Sequence, residues 1–191
     1  MPLILQVDAA GRGQRWITHE DYAYYATKGL VAWEMGNGFR TLHGGYQNTG
    51  EQSTLDLSTI VAVKGKLSKG ADKRYNIPPS LTNRGLFRRD KNLCAYCGKI
   101  FSPKQLTRDH IVPTSKGGPN NWNNVVTSCS KCNKDKGNWL LEEIGMELLY
   151  LPYTPNKAEH LILMNRHILE DQMEFLLKSV TKDSRLLKDI H

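Results

Sequence analysis

Short runs of β-branched, aromatic and aliphatic residues, parted by Gly and Asn, fill the first third of this chain. PLILQVD (2–8) has strand character. LVAWEMG (30–36), FRTLHGG (39–45) and STLDLSTIVAVKG (53–65) follow the same habit and predict strands joined by turns. One stretch breaks it. THEDYAYYATKG (18–29) opens on Thr18, carries acids in its first turn and closes on Gly29, which are helix start and stop signals. Residues 1–65 therefore read as a small α+β region. His19 and His43 stand alone there, and Trp16 and Trp33 read as core residues.

The pattern changes after residue 65. KLSKGADKRYNIPPS (66–80) is polar, basic and ends in Pro-Pro, the composition of a linker. LTNRGLFRRD (81–90) predicts a short helix. Alternation over 106–112 predicts a strand, Gly117, Gly118 and Pro119 a turn, and 124–127 a second strand. A helix should then begin near Ser130 and carry Cys132, Asn133 and Lys136. LEEIGMELLY (141–150) predicts a further short helix, and 151–157 a Pro-punctuated connection. From 158 to 180, Leu161, Met164, Ile168, Met173, Leu176 and Val180 recur at roughly helical spacing and predict one longer helix. Its apolar stripe should pack on the chain's own core; a homodimer contact is the alternative. The expected division is 1–65, a linker at 66–80, a cysteine-bearing module at 81–150 and a C-terminal helical extension at 151–191.

Composition narrows the class. The 191 residues are 39% hydrophobic and 24% charged, values of a globular protein. No apolar run is long enough to span a bilayer, and the first residues lack a basic, apolar leader pattern. A cytoplasmic protein without a membrane partner is the expectation. Net charge is +7, and its placement says more than its size. Between Thr82 and Trp139 stand eleven Lys/Arg and three acids, so this one segment carries the whole basic excess. A polyanion partner fits that concentration, and nucleic acid is the common one.

The same segment holds all four cysteines. Cys94-Ala-Tyr-Cys97-Gly and Cys129-Ser-Lys-Cys132-Asn are two C-x-x-C pairs separated by 31 residues. In a reducing compartment such pairs point to metal rather than disulfides. Four thiolates suit a closed tetrahedral zinc site that supplies folding energy and keeps no open position for catalysis.

Between the pairs lies TRDHIVPTSKGG (107–118), with adjacent Asp109 and His110. The predicted strand, loop, strand and helix would bring Asp109, His110 and Asn133 together. That set suits phosphodiester hydrolysis. A neutral His110 can take a proton from water. Asp109 and Asn133 offer oxygen ligands to a hard cation such as Mg²⁺, which acts as Lewis acid on the phosphate. Nearby Lys and Arg can hold backbone phosphates.

From Cys94 to Asn138 the chain closely resembles the HNH endonuclease family. C-x-x-C, D-H-I-V-P-T-S-K-G-G, an internal Asn and C-S-K-C-N with Lys-Gly following are present almost whole. LTNRGLFRRDKNLCAYCG and TSCSKCNKDKGN extend the likeness to standalone bacterial HNH proteins. The resemblance implies a ββα-metal (His-Me finger) fold within an α+β protein. It implies His110 as general base, Asp109 as a ligand of the catalytic divalent cation, and Asn124 as the residue bracing the loop through backbone hydrogen bonds. Asn133 falls where the family name has its last histidine. The spacing also resembles the HNH domain of CRISPR effector nucleases. Asn in place of His should shift preference toward Mg²⁺ or Mn²⁺.

The implied activity is a metal-dependent DNA endonuclease, nicking or cutting double-stranded DNA to leave 5′-phosphate and 3′-hydroxyl ends. Arg84, Arg88, Arg89, Arg108, Lys116, Lys131, Lys134 and Lys136 are the candidate nucleic-acid contacts, and Trp122 and Trp139 read as packing. A zinc-framed nucleic-acid-binding module that cuts nothing is the rival reading, and a ribonuclease a weaker one.

Overall fold

The computed structural model describes residues 2–36, 38–64, 77–182 and 184–187. Most of the expected 66–80 linker lies outside the described residues. The chain divides into two compact units, each with its own core. The first comprises 1–77 and 157–180, the second 78–156 and 181–191.

The first unit is built on a four-stranded sheet. Strands β1 (Ile4–Val7), β2 (Gly13–Ile17), β3 (Val31–Met35) and β6 (Ile60–Val63) lie in the order β2-β1-β6-β3. β1 runs antiparallel to β2 and parallel to β6. A separate hairpin joins β4 (Arg40–Tyr46) to β5 (Gln52–Leu57). Helix α1 (His19–Thr27) starts where its sequence signals put it. Thr18 Oγ1 accepts from the Asp21 N–H, and Asp21 returns a bond to the Thr18 N–H. Ile4, Ile17, Tyr22, Leu57 and Val61 form the core.

Two sequence expectations change here, and one strand is new. The run 53–65 is two strands parted by Ser58 and Thr59, because β5 pairs with β4 and β6 with β1 and β3. β2 was not legible, since GQRWI buries only its two ends, Gly13 and Ile17. The predicted helix over 158–180 is broken into α5 (Lys157–Met164) and α6 (Glu170–Leu177) in the numbering used below, with α2 to α4 in the second unit. Asn165 Oδ1 accepts from the His167 N–H in the break, and Gln172 Oε1 caps the Leu169 N–H. The break lets buried Gln172 donate to Leu3 O and Thr59 O, each at 2.8 Å.

These two helices belong to the first unit rather than trailing the module before them. The Trp16 indole donates to Leu161 O at 2.9 Å. Gly13 is small because a Cβ there would stand 2.9 Å from Leu161 Cδ1. Leu161 and Leu176, members of the expected stripe, are thus buried within their own unit.

The second unit begins with α2 (Asn83–Arg89), capped by Thr82 Oγ1 on the Gly85 N–H. The first cysteine pair follows on a tight turn between Leu93 and Ile100. Then come β7 (Leu106–His110), β8 (Val125–Cys129), α3 (Ser130–Lys136) and the single turn α4 (Leu141–Ile144). β7 and β8 pair antiparallel, with Asp109 opposite Val126 and His110 opposite Val125. Leu86, Phe87, Leu106, Trp122 and Val125 form the core.

Candidate active site

Two turns converge to bring the cysteines together. Ala95 N–H donates to Thr127 O at 2.8 Å, which seats the first turn against β8. The second pair straddles the start of α3, where Cys129 is the cap and its Sγ accepts from the Cys132 N–H at 3.4 Å. All four Sγ atoms lie within 4.8 Å of one another. A tetrahedral ion with Zn–S bonds of about 2.3 Å sets its sulfurs about 3.8 Å apart, so these thiols are near enough to hold one metal ion. Cys94 is buried, which raises its pKa, but backbone N–H groups of Cys97, Cys129 and Tyr96 outweigh this and lower it to about 7. Burial pushes the Cys97 and Cys132 thiols up. A bound cation would remove the repulsion between neighbouring thiolates.

The pleat of β7 sorts the central residues into two sets. Thr107 and Asp109 meet α3: Asn133 Nδ2 donates to Thr107 Oγ1 at 2.8 Å, and Lys136 Nζ lies 3.5 Å from Asp109 Oδ1. Arg108 and His110 instead meet the loop between the strands, where both contact Asn120 Oδ1 at 3.1 Å. Alternation along a strand produces this division.

Asp109 is 5% exposed. Burial raises its pKa, opposed by a hydrogen bond from the Tyr96 hydroxyl and by the Lys136 ammonium. Burial and the adjacent carboxylate push the Tyr96 phenol far up, so it stays a donor. Asn133 has spent Nδ2 on Thr107, which leaves its Oδ1 as the oxygen available to a cation. A carboxylate and an amide oxygen are the donors a hard cation takes.

Asn124 clamps the loop. Its Oδ1 accepts from the Val112 N–H at 3.0 Å, and its Nδ2 donates to Val112 O at 3.0 Å and Pro119 O at 2.9 Å. The loop closes so tightly that a Cβ on Gly118 would fall 1.8 Å from Val112 O. Gly117 takes φ +84°, the left-handed conformation glycine adopts without strain.

Two expected nucleic-acid contacts are corrected by burial. Arg89 is 1% exposed. It pairs with Asp90, donates to Trp122 O, Val125 O and Tyr153 O, and lies over the rings of Trp122 and Tyr153. It holds the unit together and offers nothing to a phosphate. Lys136, equally buried, donates to His110 O at 2.8 Å. Arg84, Lys116, Lys131 and Lys134 are exposed, while Arg88 and Arg108 are half-buried. Lys116 already pairs with Glu143 and lies over the Trp139 ring. Trp122 is buried, as expected of packing, whereas Trp139 is 56% exposed.

Sequence reasoning missed Tyr96, Thr107, Asn120 and the Arg89–Asp90 pair. Tyr96 and Thr107 lie beside predicted ligands, and only the packing of α3 and the cysteine turn on β7 brings them into play. Among the described residues, no helix is long and apolar enough to cross a membrane.

Residues 94–149 match the family model of the HNH endonuclease. The chain is also similar to the CRISPR-associated endonuclease Cas9 of Corynebacterium diphtheriae, at 27% identity over 130 residues. That match covers 65% of this chain and 12% of the relative.

Proposed function

We propose that this chain, whose residues 94–149 carry an HNH endonuclease domain, hydrolyses phosphodiester bonds of DNA with His110 as general base. The observation that carries the reading is the order β7, β8, α3 over the cysteine cluster. It sets Asp109 and His110 at the end of one strand, with Asn133 on the helix packed against that strand. This is the arrangement expected of a ββα-metal site. Zinc fits the four thiolates as a structural ion. Mg²⁺ or Mn²⁺ fits the Asp109 carboxylate and the Asn133 amide oxygen, where it would supply Lewis-acid stabilisation of the phosphate and the leaving 3′-oxygen.

The chain's own residues do the rest. Neutral His110 takes the proton from water as the water oxygen bonds to phosphorus. The P–O3′ bond then breaks, and the leaving 3′-oxygen takes a proton from solvent water, giving a 5′-phosphate and a 3′-hydroxyl. Lys136 and Tyr96 hold the Asp109 carboxylate in place. Asn124 keeps the loop after His110 closed. Arg84, Lys131 and Lys134 are exposed cations that can meet backbone phosphates. One such site cuts one strand, so double-strand cleavage requires a second copy or a second nick.

A supercoiled-plasmid assay of wild type and His110→Ala, with Mg²⁺, Mn²⁺ or EDTA, tests this. Metal-dependent nicking by wild type alone, with zinc content and DNA affinity kept in the variant, is the expected result. Binding without cleavage under every condition would overturn it in favour of a zinc-framed binding module.

A further inference from the structure

We propose that Asn120, oriented by Arg108, is a positioning residue that keeps the proton of neutral His110 on Nε2 and leaves Nδ1 to accept the proton of water. This rests on reading His110 as the general base.

The geometry assigns the protons. Arg108 and His110 are two residues apart on β7 and meet the same atom, Asn120 Oδ1, at 3.1 Å each. A guanidinium has donors only, so the amide atom it meets is the oxygen and not the NH₂ group. That oxygen can only accept, so the His110 nitrogen facing it must carry hydrogen. Neutral imidazole has one N–H. With that hydrogen on Nε2, the free lone pair is on Nδ1. Arg108 thereby settles which way the amide points, and the amide settles which nitrogen of the base is free.

Asn120 is exposed, yet its neighbours in the chain are anchored. Pro119 O accepts from Asn124 Nδ2 at 2.9 Å. Asn121 Oδ1 accepts from the N–H groups of Asn123 and Asn124 at 3.2 and 3.0 Å. The loop thus presents the amide from between two fixed points, with Asn124 contributing to both. An imidazole held this way loses neither its ring orientation nor its tautomer before substrate arrives, which is what general-base efficiency requires.

The test uses the full zinc-loaded chain with ¹⁵N-labelled histidine. Long-range ¹H–¹⁵N correlations of the His110 ring, assigned with His110→Ala, identify the protonated nitrogen. Wild type should show a single neutral form with hydrogen on Nε2. Asn120→Leu should show a mixture of the two neutral forms, with kcat for nicking down about 10- to 100-fold and KM nearly unchanged. Asn120→Asp keeps an acceptor oxygen and should keep the wild-type ring form, even if the Leu variant loses zinc. Hydrogen on Nδ1 in wild type, or loss of the single form in Asn120→Asp, would overturn the inference. So would a wild-type ring signature with undiminished kcat in Asn120→Leu. The ring signature is read without cleavage, so a protein that fails the plasmid assay sinks the nuclease reading while this experiment still reports on Asn120.

Discussion

Lys136 donates a 2.8 Å hydrogen bond from the second turn of α3 to the backbone carbonyl of His110. The same ammonium lies 3.5 Å from the buried Asp109 carboxylate, so one side chain ties the helix to the end of β7. Lys136→Met would remove both links. Stability should fall by about 2–3 kcal/mol, at the low end for a broken buried pair, because Tyr96 still donates to Asp109 and the carboxyl can take up a proton. Urea denaturation of the zinc-loaded protein would measure it. A change below about 0.5 kcal/mol would contradict the buried pair.

Arg89 tests burial against charge. Arg89→Met removes the nearest cation of Asp90, which keeps Arg185 at 3.9 Å and the Thr127 N–H, and takes away the donor that Trp122 O, Val125 O and Tyr153 O share. The loss should be about 3–5 kcal/mol. Folded variant should bind DNA with wild-type salt dependence, as gel shifts over a range of NaCl would reveal. A reduced slope would mean that Arg89 touches phosphate after all.

Arg84, Lys131 and Lys134 should behave in the opposite way. Replacing each by Gln should leave thermal stability nearly unchanged. Each should weaken DNA binding uniformly across sequences and lower the salt slope by about 0.9 for each phosphate no longer neutralised. An unchanged slope in all three variants would move the DNA surface elsewhere.

Metal removal should act on one unit. The four thiols come from the first turn, the end of β8 and α3, and lie near enough for one ion to tie those elements together. Stripping the metal should abolish hydrogen-exchange protection across residues 78–156, while β1, β6 and α1, which have a core of their own, stay protected. Equal loss in both units would show that they do not unfold separately.

His160 gives the first unit a pH response. Burial, aided by the Lys157 charge, lowers its pKa below the ordinary histidine value. The unfolded chain therefore binds the proton first as pH falls. Stability is full above about pH 6.5 and is lost as pH drops through the folded pKa. His160→Gln should flatten that part of the stability–pH curve, and an unaltered curve would assign the response to other groups.

What could be read from the chain was written locally. The two C-x-x-C pairs and Thr18 at the head of α1 each declare their geometry within a few residues, and the Asp109-His110 dipeptide marks a candidate centre in the same way. Ligand spacing and capping need only short-range geometry, so they survive without knowledge of the fold. The strand–strand–helix order around the pairs was legible for the same reason, through alternation and turn residues.

The tertiary structure decided what depends on which face an element buries. An Arg or Lys looks alike in sequence whether it faces water or a carboxylate, so the roles of Arg89 and Lys136 emerged only when α2 and α3 were packed. The break of the 158–180 helix at Asn165 goes with a buried Gln172 amide that meets two carbonyls more than a hundred residues away in sequence, which no local pattern signals. Asn120 became a partner of His110 only through the pleat of β7, which turns Arg108 and His110 to the loop and Asp109 to the helix. Spacing along the chain nominates candidate groups. Register and packing choose what each one touches, because hydrogen bonds and burial act over a few ångströms of space irrespective of distance along the chain.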